Sequence, residues 1–224
     1  MNFCLICTPD FFSAFLILHI IGGGAGLISG TLNLILKKGG KIHKIIGQFF
    51  FFGMLVAGLS ALMLSFIKSN HFLFIVGVFT LYMVITGKRY IYLKLLGVNQ
   101  KPALFDWMIS LAMVFAALVF LVLGVMMLIK QNNFGIVLIV FGIISFGFVR
   151  RDFSNYRGQV KEKNYWLLMH LQRMTGAYIA SATAFLVVNA KYIPFELPAF
   201  VFWLLPTAVL TPLIVSWSKK YSKK

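Results

Sequence analysis

Seven long apolar runs divide the chain, with short polar or basic stretches between them. The runs cover about residues 11–36, 45–67, 71–93, 106–129, 134–149, 165–189 and 197–217. Several reach the roughly 20 residues needed to cross a bilayer. Backbone N–H and C=O groups in lipid must be satisfied within the chain, so each run is read as a helix. A membrane barrel would need segments of about ten alternating residues, and none is present. The predicted fold is all-α: an integral membrane protein made of one transmembrane domain over residues 1–224, a bundle of seven transmembrane helices. Short connections predict that sequential helices pack as antiparallel neighbours. The fifth run is short and rich in Gly and Phe. The seventh carries Pro198, Pro206 and Pro212, which predicts an irregular start and a kink.

Composition agrees with this pattern. Of 224 residues, 60% are hydrophobic and only 12% charged, too few charges to cover a soluble domain of this size. The net charge of +16 raises nucleic acid as a partner. The placement of the charges argues for topology instead. Lys37, Lys38, Lys41 and Lys44 follow the first run, Lys88, Arg89, Lys94 and Lys101 the third. Arg150, Arg151, Arg157, Lys161 and Lys163 follow the fifth, and Lys219, Lys220, Lys223 and Lys224 form the tail. Only Lys68, Lys130 and Lys191 fall on the other side. The positive-inside rule then puts the N-terminus outside and the C-terminus in the cytoplasm. The expected partners are the lipid bilayer and, at the cytoplasmic loops, anionic headgroups, not nucleic acid. Trp107, Trp166, Trp217, Tyr165 and Tyr221 fall at the cytoplasmic boundary like an aromatic belt. Residues 88–105 mix Tyr, Leu and Lys, as an interfacial segment does. The first run is too long for a signal core and is expected to stay as the first helix.

Candidate chemistry concentrates in two places. The stretch "LHIIGGGAGLISGTLNLILKKGGKIHK" holds His19 and His43 and, between them, glycines at Gly22, Gly26 and Gly30. Four-residue spacing of small residues is a helix-packing seam in lipid. The same bare backbone would leave room for a flat cofactor beside His19. Near the other end, "YWLLMHLQRMTGAYIASATAF" places His170, Ala177 and Ser181 on one stripe with Arg173 beside it. A charge inside a span costs about 2.5–3.5 kcal/mol on insertion scales. Arg173 is read either as an interfacial anchor that snorkels or as the partner of Asp106 or of an anionic ligand. His19 and His71 fall toward the outer side, His43 and His170 toward the cytoplasm. Two histidines on different helices at one level could hold a metal or clamp a haem iron, so haem b is the one cofactor these residues suggest. Gly39 and Gly40 can end the first helix in a left-handed cap, and the next helix start could hold an anion. Cys4 and Cys7 form a C-x-x-C pair, read as a redox or metal pair or as two small hydrophobes. With only five acidic residues, no catalytic triad, zincin helix, phosphate loop or carboxylate cage is present.

The segments "HIIGGGAGLISGTLNLILKKGGKIHKIIGQFFFFGM", "FDWMIS", "RRDFSNY" and "WLLMHLQRMTGAYIASATAFLVVN" resemble a family of predicted multi-pass bacterial membrane proteins classed as a domain of unknown function. The resemblance implies a bacterial inner-membrane location and does not point to any particular activity. The positions it singles out are His19, Lys38, Gly39, His43, Met54, Asp106, Asp152, His170, Arg173 and Met174. The leading functional expectation is a ligand- or cofactor-binding membrane protein. Its site, in the cytoplasmic half between helices 1, 2, 4 and 6, would use His43, His170, Arg173 and Asp106, with His19 as a further candidate. A b-haem or quinone redox subunit, a small-molecule or lipid transporter, and a structural subunit of a homo-oligomer or membrane complex all fit this reading. Whether the chain is an enzyme stays open.

Overall fold

The computed structural model describes residues 9–160, 162–194 and 198–222; Cys4 and Cys7 lie outside them. Seven α-helices appear among the described residues: α1 (Pro9–Ile35), α2 (Lys41–Ile67), α3 (His71–Tyr90), α4 (Leu104–Ile129), α5 (Phe134–Tyr156), α6 (Tyr165–Asn189) and α7 (Ala199–Ser222). A single 3-10 turn, Ala190–Tyr192, follows α6. No strand forms among the described residues, only an isolated bridge between Leu96 and Gln100. All of these helices except α6 are long and apolar enough to cross a membrane, six in all, the mark of a multi-pass membrane protein. The apolar character of α6 is interrupted by His170, Gln172 and Arg173.

Most helices begin and end within a few residues of their apolar runs, with one instructive exception. α5 does not stop where its hydrophobic run stops at Val149. It continues through Arg150, Arg151 and Asp152 to Tyr156. The extension is held by a buried face rather than by hydropathy: Val149, Asp152, Asn155 and Tyr156 are all buried, at helical three- and four-residue spacing. His43, expected in a loop, lies in the first turn of α2. α7 starts after Pro198 and runs through Pro206 and Pro212, each of which removes one i→i−4 hydrogen bond.

The chain packs as two compact units. The first contains α1, α2, α3 as far as Ile85, α6 from Leu171, and α7 to Lys220. Here α1 and α2 touch backbone to backbone. A Cβ on Gly22 would stand 2.8 Å from the Gly53 carbonyl oxygen, and one on Gly26 would stand 2.5 Å from the Met54 sulfur. By contrast, Gly23 and Gly24 have nothing within 4 Å of an added Cβ. Gly30 lies under the Tyr178 ring of α6, whose hydroxyl meets Thr31 Oγ1 at 2.7 Å. Gly39, at φ +79, reverses the chain after α1. Lys38 then turns back and donates to the carbonyls of Asn33 (2.6 Å), Leu34 (2.8 Å) and Leu36 (3.3 Å). These are the open acceptors of the helix end. The same ammonium lies 4.3 Å from the Trp217 ring centroid. Partial burial lowers the Lys38 pKa from its ordinary 10.5.

The second unit contains the end of α3 from Thr86, α4, α5, and α6 as far as His170. α4 and α5 form a tight hairpin in which a Cβ on Gly124 would stand 2.9 Å from the Gly135 carbonyl oxygen. Tyr90, Leu93, Leu96, Tyr156, Tyr165, Leu168 and Met169 build its core, with Trp107, Phe153 and Trp166 packed around them. The loop 91–103 is pinned from three sides. The Tyr165 hydroxyl donates to the Leu93 carbonyl and accepts from the Leu96 N–H at 2.9 Å. The Gln100 amide bridges the Tyr92 carbonyl at 2.8 Å and the Leu95 N–H at 2.9 Å. Finally, Gly97 (φ +84) and Gly158 (φ +78) meet face to face. A Cβ on Gly97 would stand 2.8 Å from the Gly158 carbonyl oxygen.

Candidate functional site

Within the second unit, three helix ends contribute polar residues: Arg89 and Tyr90 from α3, and, at helical spacing, Asp106 and Ser110 from α4 and Asp152, Asn155 and Tyr156 from α5. They sort into two linked carboxylate sites. Asp106, 2% exposed, takes a two-pronged contact from Arg89: Nε to Oδ1 at 2.6 Å and Nη2 to Oδ2 at 3.1 Å. Its Oδ2 also accepts the Ala103 N–H at 2.8 Å, the carboxylate half of a capping box at the start of α4. The guanidinium on Asp106 is thus Arg89's, whereas the sequence had suggested Arg173.

Asp152 is 0% exposed. Its Oδ1 accepts the Tyr90 hydroxyl at 2.7 Å, and Ser110 Oγ lies 3.3 Å from its Oδ2. The Asn155 amide donates to Tyr90 Oη at 3.1 Å, which leaves the phenol proton directed at the carboxylate. Ser110 Oγ also lies 3.4 Å from the Tyr156 hydroxyl, and Tyr156 packs edge-on against Trp107 at 5.2 Å between centroids. The phenol and the alcohol thus both present hydroxyls to a carboxylate buried inside the helix bundle's apolar surroundings. Reading the sequence missed Tyr90, Ser110, Asn155 and Tyr156. The available signal was the three- and four-residue spacing of polar residues about Asp152, which has meaning only once α5 is known to continue past Val149.

Each of the other sequence candidates has contacts within its own unit. Arg173 in α6 is fully buried at 0% exposed, with its guanidinium carbon 4.7 Å from the Tyr82 ring centroid, a cation–π contact. His43 lies beside Asn33, whose amide, oriented to suit both neighbours, donates to His43 Nδ1 at 3.3 Å and accepts the Gly47 N–H at 3.0 Å. His71 opens α3 and is exposed. Two histidines inside helices share one geometry. His19 Nδ1 lies 2.9 Å from the Ala57 carbonyl in the first unit. His170 Nδ1 lies 2.9 Å from the Gly87 carbonyl in the second. A carbonyl at that distance accepts a hydrogen bond from Nδ1–H, the tautomer that leaves Nε2 with the lone pair, as in metal-ligating histidines. Ala177 is buried, and Ser181 donates to the Tyr178 carbonyl at 3.0 Å. Among the described residues, no three His, Cys, Asp or Glu side chains gather as a metal cluster would.

Comparison with known proteins adds no relative: no family model matches the chain, and neither a curated protein nor a solved structure does.

Proposed function

We propose that the chain is a seven-helix membrane bundle, N-terminus outside and C-terminus cytoplasmic, that couples ligand binding in its cytoplasmic half to protonation of Asp152, as a proton-coupled small-molecule transporter does. A bacterial inner membrane is the proposed location, and α6 is the seventh span. The observation that carries this reading is the burial of Asp152 between Tyr90 and Ser110. Ionisable side chains inside membrane proteins mark substrate paths and proton relays. His170 and Asp106, both of the second unit, are the proposed ligand contacts.

Infrared titration of the purified protein tests the proton site. A buried carboxyl C=O band that rises and falls with pH, and is lost in Asp152→Asn, supports it. Proteoliposomes loaded with a pH-sensitive dye test transport, with flux expected to fall at least tenfold in the same variant. A pH-independent Asp152 with no proton flux overturns the proposal.

A redox subunit carrying haem b or quinone is a second reading. It is favoured by the shared Nδ1–carbonyl geometry of His19 and His170. It predicts a Soret band lost in His170→Ala, and colourless protein from haem-replete cells excludes the haem form.

A further inference from the structure

The second unit carries a cleft of about 540 Å³ between the loop 97–102 and the end of α5, lined by Lys101, Arg157, Trp107 and Tyr156 together with Gln100 and Gly158. No lining residue is acidic. The nearby acid of the following loop, Glu162, is already engaged by Arg151 at 3.0 Å. Neither the Lys101 nor the Arg157 side chain has a hydrogen-bond or ion-pair partner among the described residues. Two cations without partners thus line one concave surface from different loops. The Gln100 bridge and the Gly97–Gly158 contact fix both loops. Preformed walls lower the entropy cost of binding.

The geometry points to this cleft as a binding site for a phosphate ester. Lys101 supplies a point charge and Arg157 a planar fork suited to phosphate oxygens. Trp107 and Tyr156 supply an apolar wall for the organic part. The volume lies within the range of small-molecule sites and exceeds what inorganic phosphate alone would fill. A soluble phosphomonoester and a phospholipid headgroup present the same chemistry. α4 begins directly after the cleft with Leu104 (75% exposed), Phe105 (54%) and Met108 (58%), a surface on which acyl chains could lie. The site is independent of the proton-coupled reading, since neither cation touches Asp152.

The test uses the full chain in detergent and in nanodiscs. Glycerol 3-phosphate is titrated by calorimetry and thermal unfolding, against sodium chloride at equal ionic strength. Unfolding is compared in nanodiscs of phosphatidylcholine with and without phosphatidic acid. Saturable binding of glycerol 3-phosphate identifies a soluble ester as ligand. A rise in unfolding temperature confined to phosphatidic acid identifies a headgroup. In either case Lys101→Ala with Arg157→Ala should weaken the response at least tenfold, and Arg157→Lys should weaken it by a smaller factor, because a point charge replaces the planar fork. Both side chains are exposed, so the unliganded unfolding temperature of the variants should match the parent. No response to either probe, a response matched by chloride, or a response that survives the double substitution overturns the site.

Discussion

At the scale of single residues, the buried charges decide most. The Arg89 side chain is one-third exposed, but the Asp106 side chain is fully buried, so the two partners are not equally replaceable. Arg89→Ala strands a buried carboxylate and should cost about 2–3 kcal/mol, at or below the low end of the roughly 3–5 kcal/mol for a fully buried pair because the arginine is partly solvated. Arg89→Ala combined with Asp106→Asn should cost less than the two single changes summed, and a double-mutant cycle of unfolding free energies measures the difference. Lys38 acts through the end of α1. Lys38→Ala should lose about 1 kcal/mol, while Lys38→Arg keeps most of the capping. Because the folded protein holds the Lys38 proton less tightly than the unfolded chain, this residue makes stability rise with pH between its lowered pKa and 10.5. A pH series on the parent and Lys38→Ala should show that slope flattened in the variant. The sequence made Asp106, His19 and Arg173 conspicuous as polar groups in apolar surroundings. It could not name their partners, because Arg89 and Asp106 meet only through the path of the loop between them.

At the scale of elements, the triplet Gly22-Gly23-Gly24 separates two roles that look identical in the sequence. Gly22 has the α2 backbone against it, and Gly23 and Gly24 have open space. Gly22→Ala should therefore destabilise by about 1–3 kcal/mol through overpacking. Gly24→Ala should be neutral or stabilise by up to about 1 kcal/mol through helix propensity. Unfolding of the two variants in mixed micelles would separate these outcomes. The four-residue glycine spacing was legible in the sequence, but its counterpart, Gly53 and Met54 on α2, was not. Helix ends show the same limit. Hydropathy locates the lipid, not the end of a helix, so the final two turns of α5 had no signal in apolar character. The turn at Gly39 was legible because lysines and paired glycines interrupt the apolar run there.

At the scale of the whole molecule, the all-α, membrane-spanning character was legible from hydropathy alone, as the six apolar helices show. α6 needs a different argument, since its polar residues lower its apolar character while Ala177 and Arg173 are buried by packing. The proposed topology predicts that a green fluorescent protein fused after Lys224 fluoresces, and that a periplasmic phosphatase fused there is inactive. The reverse result would invert the orientation assigned from the lysines and arginines.

The contact between Gly97 and Gly158 reaches beyond the loops it joins. Each glycine has a backbone conformation that side chains resist, and each occupies the space the other's side chain would need. A change at one position is therefore tolerated only if the backbone of the other moves. In any set of related sequences, these two positions, 61 residues apart in the numbering, should vary as a linked pair: both glycine, or both altered together with a change in loop length.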